Sequence, residues 1–182
     1  MNKVACFIIG TNAVGKSTLA RQLIETFGGV ERVTDKITYC KDGKTCFLGK
    51  YFHGGKFEGV DTYSTTNGLY KHVQTALSER KVVFAEGFYL KSFGLNLQQA
   101  IFQAEKQLVV FLYAPTKVLN ERLLKRSGNG ITEFVCKSQK GAASAARKWK
   151  SVGVSVVSFD TSVYDTAHIK EKVIEKINKL AE

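Results

Sequence analysis

The chain has 182 residues, of which 44% are hydrophobic and 24% are charged, so its length and composition fit one globular domain with a full core. No apolar run approaches the length of a membrane span, and the run before the first glycine is too short for a signal peptide, so we expect a cytoplasmic protein without a membrane anchor. Lys and Arg outnumber Asp and Glu by 27 to 16, and the formal net charge of +11 suggests a polyanionic partner, unless it serves only solubility.

Strands and helices are predicted to alternate along the chain. Residues 4–9 (VACFII) form a continuous apolar run, which is typical of a buried parallel strand, and a helix with leucines at helical spacing follows residue 17. Asp42-Gly43 lies between two β-prone runs and predicts a hairpin, within a hairpin and loop insertion at residues 36–60. Further strands are predicted at 30–34, 81–87, 107–114 and 154–160, and helices at 65–80, 95–106, 115–126, 134–150 and 166–181.

This alternation predicts a single α/β domain over residues 1–182, with a mostly parallel sheet of about five strands flanked by helices. Ligands of such sheets bind beyond the carboxyl ends of the strands. Residues 122–150 form a basic segment in the position of a lid, and no acidic residue lies between Glu133 and Asp160.

The loop between the first strand and the first helix reads GTNAVGKS and matches G-x-x-x-x-G-K-[ST]. In this context the backbone N–H groups and the helix N-terminus bind phosphate oxygens, which defines a P-loop NTPase fold. Lys16 is expected to reach the β- and γ-phosphates, and Ser17 to supply a hydroxyl to Mg2+. The predicted ligands are therefore ATP and Mg2+, and the nucleotide-binding residues are Gly10, Thr11, Asn12, Ala13, Val14, Gly15, Lys16, Ser17 and Thr18.

The chain lacks the N-K-x-D motif of GTPases and is short for a large ATPase, which favours a small kinase of the nucleoside- and nucleotide-kinase type by fold-level analogy. Such an enzyme needs a carboxylate to orient or deprotonate its acceptor. Glu86 ends a predicted strand and is assigned to the metal environment. Asp61 in GVDTY and Asp35, nineteen residues after Lys16, compete for the role of base. Asp61 could instead cap a helix, and Asp35 could be an exposed turn residue.

Arg122 and Arg126 lie four residues apart on one face of the helix predicted at 115–126. Small kinases begin their lid here, and the two arginines are candidates to neutralise charge on the transferring phosphoryl group. The alternative is a solvated helix face.

Three further segments carry a resemblance to a known family: LGKY at 48–51, GVDT at 59–62 and FAEG at 84–87. Together with the P-loop they resemble the 5-hydroxymethyluracil DNA kinases of phages that hypermodify thymidine, although Glu58 stands where that family has a glycine. The resemblance implies that ATP phosphorylates the hydroxymethyl group of a base already within DNA, with Asp61 and Glu86 at the acceptor and metal site.

DNA containing 5-hydroxymethyluracil is then the expected partner, either single-stranded or with the target base flipped out. Tyr51, Phe52 and Trp149 are candidates to stack on bases, and core packing is the alternative for each. Two other functions stay open: a kinase for a free nucleoside, nucleotide or other small molecule, and a non-catalytic nucleotide-binding accessory protein.

Overall fold

The computed structural model describes residues 1–52, 58–63 and 68–182. Within them lie seven strands: β1 (Val4–Ile9), β2 (Val30–Val33), β3 (Ile37–Cys40), β4 (Thr45–Leu48), β5 (Val82–Glu86), β6 (Lys106–Tyr113) and β7 (Ser155–Asp160). The α-helices are α1 (Lys16–Thr26), α2 (Leu69–Glu79), α3 (Leu95–Ile101), α4 (Thr116–Ser127), α5 (Glu133–Ser151) and α6 (Thr166–Ala181), with short 3-10 helices at Val60–Thr62 and Phe88–Lys91.

One sheet contains all of these strands, in the order β2-β3-β4-β5-β1-β6-β7. The set β4, β5, β1, β6 and β7 is parallel, whereas β2 and β3 are joined antiparallel at one edge. The mostly parallel sheet is therefore confirmed, and the hairpin strands β3 and β4 join the sheet in addition to the expected five. All five parallel strands end at the same side of the sheet, where the phosphate-binding loop lies.

The hairpin predicted at Asp42-Gly43 is confirmed, since β3 and β4 pair antiparallel around it. The Asp42 carboxylate fixes the turn by accepting hydrogen bonds from the backbone N–H groups of Lys44 and Thr45, at 3.0 and 2.9 Å. β4 also pairs with β5, so the hairpin supplies a strand of the central sheet as well as an extension of its edge.

The core lies on both faces of the sheet, as β1 illustrates. Ala5, Phe7 and Ile9 point into one cluster with α2, α3 and α5, and the alternate residues of β1 point into a second cluster with α1, α4 and α6. Both faces of the strand are fully buried, which is why residues 4–9 form an uninterrupted apolar run. None of the helices in the described ranges combines the length and the apolar content needed to cross a bilayer.

Two predicted helices have different bounds in the structure. The helix predicted at 95–106 ends at Ile101, because Lys106 already begins β6. The helix predicted at 65–80 is found as α2 from Leu69 to Glu79, while the start predicted at 65–67 lies outside the described residues.

Candidate active site

The phosphate-binding loop runs from the end of β1 at Ile9 to the start of α1 at Lys16. Lys16 is buried beneath it, with 8% of its surface exposed, and its Nζ donates to the Thr11 carbonyl oxygen at 2.9 Å. Burial lowers the pKa of Lys16, and the negative charges of Glu86 and Asp61 partly oppose that effect. Lys16 therefore lies under the loop and near Glu86 and Asp61. From there its ammonium group can bind the terminal phosphates of a nucleotide.

Glu86 ends β5 and accepts a hydrogen bond from Ser17 Oγ at 3.1 Å and another from the Tyr51 hydroxyl at 3.4 Å. Its side chain is 1% exposed. Burial raises the pKa of Glu86 from 4.5 to about 7, while Lys16 acts in the opposite direction. Ser17 and Glu86, assigned to the metal from the sequence, are therefore in direct contact.

Oxygen ligands of this kind suit Mg2+, which usually keeps several waters and binds through one or two protein groups plus substrate phosphates. Across residues 1–52, 58–63 and 68–182, no group of three or more His, Cys, Asp or Glu side chains is arranged to hold a metal alone. Ser17 and Glu86 therefore fit an Mg2+ ion that is bound together with a nucleotide.

Asp61 lies in the 3-10 helix Val60–Thr62, and both of its carboxylate oxygens accept from the backbone N–H of Phe88, at 2.8 and 3.0 Å. The alternative role as a helix cap is not what the structure has, because α2 begins after Gly68 without a side-chain cap. Phe88 instead holds Asp61 beside the end of β5.

Two glycines allow the acidic residues to come together. A Cβ at Gly59, where φ is 63°, would lie 2.7 Å from Glu86 Oε1, and a Cβ at Gly87 would lie 2.7 Å from Asp61 Oδ1. Both contacts are shorter than real Cβ atoms tolerate, so larger residues would force the segments apart. The glycines of GVDT and AEG therefore serve the close packing of the two acidic segments.

Asp35 is not brought to this group. Its side chain is 95% exposed and pairs with Lys50 at 3.4 Å. Asp35 follows β2, which lies four strands from β1 in the sheet order, or ~19 Å away at ~4.8 Å per strand. The hairpin explains the discrepancy, because β3 and β4 lie between β2 and β5, so that β4 and not β2 is the neighbour of β5.

Arg122 joins three parts of the chain. Its guanidinium on α4 donates to the Thr161 hydroxyl at 2.8 Å and to the Thr161 carbonyl at 2.6 Å, and also to the Ala13 carbonyl at 3.3 Å. Arg126, one turn later, lies on the wall of the same cleft, and its charge contributes to the lowered pKa of Lys16. The two arginines lie together as predicted, but the guanidinium of Arg122 already forms hydrogen bonds to Ala13 and Thr161.

These groups face a cleft of about 1330 Å3. It brings together the loop from Asn12 to Thr18, Asp61, Glu86, Arg122 and Arg126, and it also includes residues 161–166 after β7. Other side chains of the lining, which the sequence analysis did not single out for the site, are Arg21, Glu58, Phe88, Tyr89 and Phe134. A cleft of this size has room for a nucleotide and a second substrate.

An aromatic cluster forms the wall next to Asp61. The rings of Phe88 and Phe134 lie 5.4 Å apart with an angle of 28° between their planes, and Tyr89 packs against Phe88. Tyr89 and Phe134 are 53% and 57% exposed, which is unusual for large aromatic side chains. The run GFYL directly after Glu86 carried a signal for two of these residues, whereas Phe134 is distant in sequence and could not have been linked to them.

Glu58 closes the cleft on the side of α1. It accepts from the Arg21 guanidinium at 2.8 Å and from the Phe52 backbone N–H at 3.2 Å. Phe52 is 50% exposed, with the Arg21 guanidinium 5.8 Å from its ring. Residues 53–57, which complete this part of the predicted insertion, lie outside the described residues.

The other two aromatic candidates are core residues. Tyr51 is 1% exposed, and Trp149 is fully buried with its ring 4.6 Å from that of Phe93. The prediction that they stack on bases is wrong for both, because their side chains have no surface to offer. α5 packs on the sheet through Trp149, and the lid function of residues 122–150 stays a prediction.

No protein-family model matches the chain, and no curated protein matches it either. Comparison with solved structures shows the α/β fold of P-loop kinases. The chain is similar to a gluconokinase from Sinorhizobium meliloti (18% identity, 97% of this chain and 93% of that one, TM-score 0.58).

It is also similar to the YorR protein from Bacillus subtilis in complex with phosphorylated GDP (19% identity, 96% and 95% coverage, TM-score 0.55). A third likeness is to shikimate kinase from Acinetobacter baumannii in complex with shikimate (12% identity, 98% and 94% coverage, TM-score 0.51). At these identities the likenesses establish the fold, over nearly the whole of each chain.

Proposed function

We propose that this protein is an ATP- and Mg2+-dependent kinase that phosphorylates the hydroxymethyl group of 5-hydroxymethyluracil within DNA. The observation that carries phosphoryl transfer is the meeting of Lys16, Ser17, Glu86 and Asp61 in one cleft. These residues come from separate segments, and each is held by a specific contact.

The loop and Lys16 bind the phosphates of ATP, and Ser17 with Glu86 orients the ligands of Mg2+, which neutralises charge on the β- and γ-phosphates. Arg126 faces the loop from the wall of the cleft and is placed to balance charge on the transferring group. Arg122 fixes that wall relative to the loop through its bonds to Ala13 and Thr161.

Asp61 is the base in this proposal. Its carboxylate is oriented by Phe88 and accepts the proton of the acceptor hydroxyl as the hydroxyl oxygen attacks the γ-phosphorus. The bond from the γ-phosphorus to the bridging oxygen breaks, and ADP leaves with that electron pair. The products are ADP and a phosphate ester on the acceptor.

A planar acceptor is supported by the exposed rings of Tyr89 and Phe134 beside Asp61. Stacking of a base on an aromatic side chain contributes about 1–3 kcal/mol. A DNA acceptor is supported by the resemblance of GVDT and FAEG to 5-hydroxymethyluracil DNA kinases and by the net charge of +11.

A kinase for a free nucleoside or nucleotide is the second candidate. The cleft of about 1330 Å3 can contain both substrates of such an enzyme without any contact outside it. The exposed aromatic wall suits a free base as well as one attached to a strand.

The two candidates are separated by transfer of labelled γ-phosphate from ATP. The acceptors are DNA with 5-hydroxymethyluracil, the same DNA with thymine, free 5-hydroxymethyl-2'-deoxyuridine and its monophosphate. We expect label in the modified DNA alone, and none with the Lys16→Ala variant, which removes the phosphate contact. Label in the free compounds but not in DNA would establish the second candidate, and ATP binding without any transfer would indicate an accessory protein.

A further inference from the structure

A second cavity, of about 390 Å3, adjoins the active-site cleft between the 3-10 helix Phe88–Lys91 and α5. Phe134 lines both cavities, so the groove meets the aromatic wall of the cleft at this ring. Its polar and small lining residues include Lys91, Lys137, Ser138, Gly141, Ser144 and Lys148.

Lys91 marks the junction of groove and cleft. Its Nζ lies 3.1 Å from the centre of the Phe88 ring and 5.0 Å from that of Phe134, and it donates to Ser138 Oγ at 3.1 Å. These contacts hold a positive charge at the entrance, where a chain passing from the groove to Asp61 must go by.

The α5 side of the groove has positive charge at both ends and small side chains between. The twelve residues from Lys137 to Lys148 are separated by eleven rises of ~1.5 Å, or ~16 Å of helix, which matches about five nucleotides of a stacked strand at ~3.4 Å each. Lys137 pairs with Glu133 at 2.7 Å, but both side chains are at least 73% exposed, so the pair is weak and screened. No acidic residue follows Glu133 until Asp160.

We infer that this groove binds a single nucleic-acid strand, with its phosphates against Lys91, Lys137 and Lys148 and the target base leaving the groove past Phe134 to reach Asp61. The inference rests on the proposed function for the identity of the strand as DNA. Charge complementarity and the shared wall with the cleft favour this occupant. The small floor formed by Gly141 and Ser144 lets a sugar-phosphate backbone approach the helix closely.

The first test measures binding of a fluorescein-labelled single-stranded DNA, without modified bases, by anisotropy at several salt concentrations. We expect Lys137→Ala/Lys148→Ala to raise the Kd about tenfold, and to make the salt slope shallower by about 1.4, since each phosphate contact contributes ~0.7 on a single strand. The control variant is Lys41→Ala/Lys44→Ala, which changes the net charge equally in the turn before β4, at the opposite side of the sheet. It should leave the slope unchanged.

A second pair of variants separates loss of binding from loss of folding. A Cβ at Gly141 meets nothing within 4 Å, and both Glu and Gln form helix better than Gly, so neither Gly141→Glu nor Gly141→Gln should destabilise the protein. We expect Gly141→Glu to weaken DNA binding about tenfold through its charge, and Gly141→Gln, of nearly equal size, to bind at least threefold more tightly than Gly141→Glu.

The outcomes distinguish this inference from the proposed function. DNA binding that depends on the groove, without phosphate transfer to modified DNA, would support the groove and contradict the proposed acceptor. A different outcome is that the wild type phosphorylates DNA while the groove variants equal the Lys41→Ala/Lys44→Ala control in both binding and transfer. That outcome would overturn the inference about the groove and leave the proposed function standing. Absence of DNA binding by the wild type, or equal binding of a polyglutamate peptide, would overturn a nucleic-acid groove.

Discussion

Glu86 has a pKa well above that of an exposed carboxyl group. Burial at the end of β5 favours the neutral acid, while Lys16 and Ser17 favour the carboxylate. A group with a pKa of about 7 changes charge near neutrality. The state that serves Mg2+ is the carboxylate, so kcat/KM for ATP with Mg2+, which reports groups of the free enzyme, should increase as the pH rises through 7.

The raised pKa of Glu86 also predicts how stability depends on pH. The native carboxyl keeps its proton where the unfolded chain has lost it, so this contribution is present below about pH 4.5 and is lost as the pH rises through about 7. The shift corresponds to a free energy on the order of 3 kcal/mol. Glu86→Gln keeps a similar shape without the titration, so we expect its free energy of unfolding to gain about 2–3 kcal/mol relative to wild type between pH 5 and pH 8.

Thermal or urea unfolding at the two pH values, without nucleotide, measures this difference. Glu105→Gln, at an exposed position, is the control and should follow the wild type. A pH-independent difference between Glu86→Gln and wild type would show that Glu86 titrates normally in the folded protein.

Asp61 should contribute to turnover rather than to ATP binding. Asp61→Asn retains an oxygen to accept from Phe88 but cannot take the acceptor proton, so we expect kcat to fall about 100- to 10000-fold with little change in the KM for ATP. Asp35→Asn is the matched control, because its side chain is 95% exposed and lies away from the cleft. Near-normal turnover in Asp61→Asn would assign the role of base to Glu86 instead. Loss of turnover in Asp35→Asn would make Asp35 a candidate for the base again.

Individual elements differ in how well the sequence predicted them. β1, the loop and α1 follow from a short apolar run, a motif and helical spacing, all of which are local signals. The role of Trp149 in α5 stayed open in the sequence, because a Trp among basic residues has the same composition in a nucleic-acid surface as in an amphipathic helix. Only the packing of Trp149 against the sheet decides between them, and that depends on the position of α5 in the fold.

Trp149 should therefore matter for stability. It is fully buried between Phe93 and Phe102, and we expect Trp149→Ala to lower the free energy of unfolding by about 3–5 kcal/mol. Phe102→Ala, at a ring that is 46% exposed, should cost clearly less. Denaturant unfolding measures both, and a Trp149→Ala protein of unchanged stability that had lost DNA binding would reinstate the stacking role.

At the scale of the whole molecule, the sheet order explains which site residues could be found in advance. Lys16 and Glu86 follow adjacent strands, β1 and β5, so a parallel sheet already implied that they meet. Asp35 was proposed from its spacing of nineteen residues after Lys16, and in the fold the hairpin strands β3 and β4 lie between β2 and β5 and hold Asp35 away from Glu86. Phe134 comes from α5, and no sequence pattern links it to Asp61, so the aromatic wall appears only in the folded chain.

The arginines of α4 provide the last prediction, since they lie where the phosphate-binding loop, α4 and the segment after β7 meet. Arg122→Ala removes the guanidinium that donates hydrogen bonds to the carbonyl oxygens of Ala13 and Thr161. We therefore expect the free energy of unfolding to fall by about 2–3 kcal/mol and the KM for ATP to rise. Arg126→Ala should leave stability within about 0.5 kcal/mol and lower kcat instead, because its charge faces the cleft. Unfolding and steady-state kinetics on the two variants separate these roles. Equal losses of stability would contradict the assignment of a structural role to Arg122 and a catalytic role to Arg126. An unchanged kcat in Arg126→Ala would show that Arg126 takes no part in the transfer step.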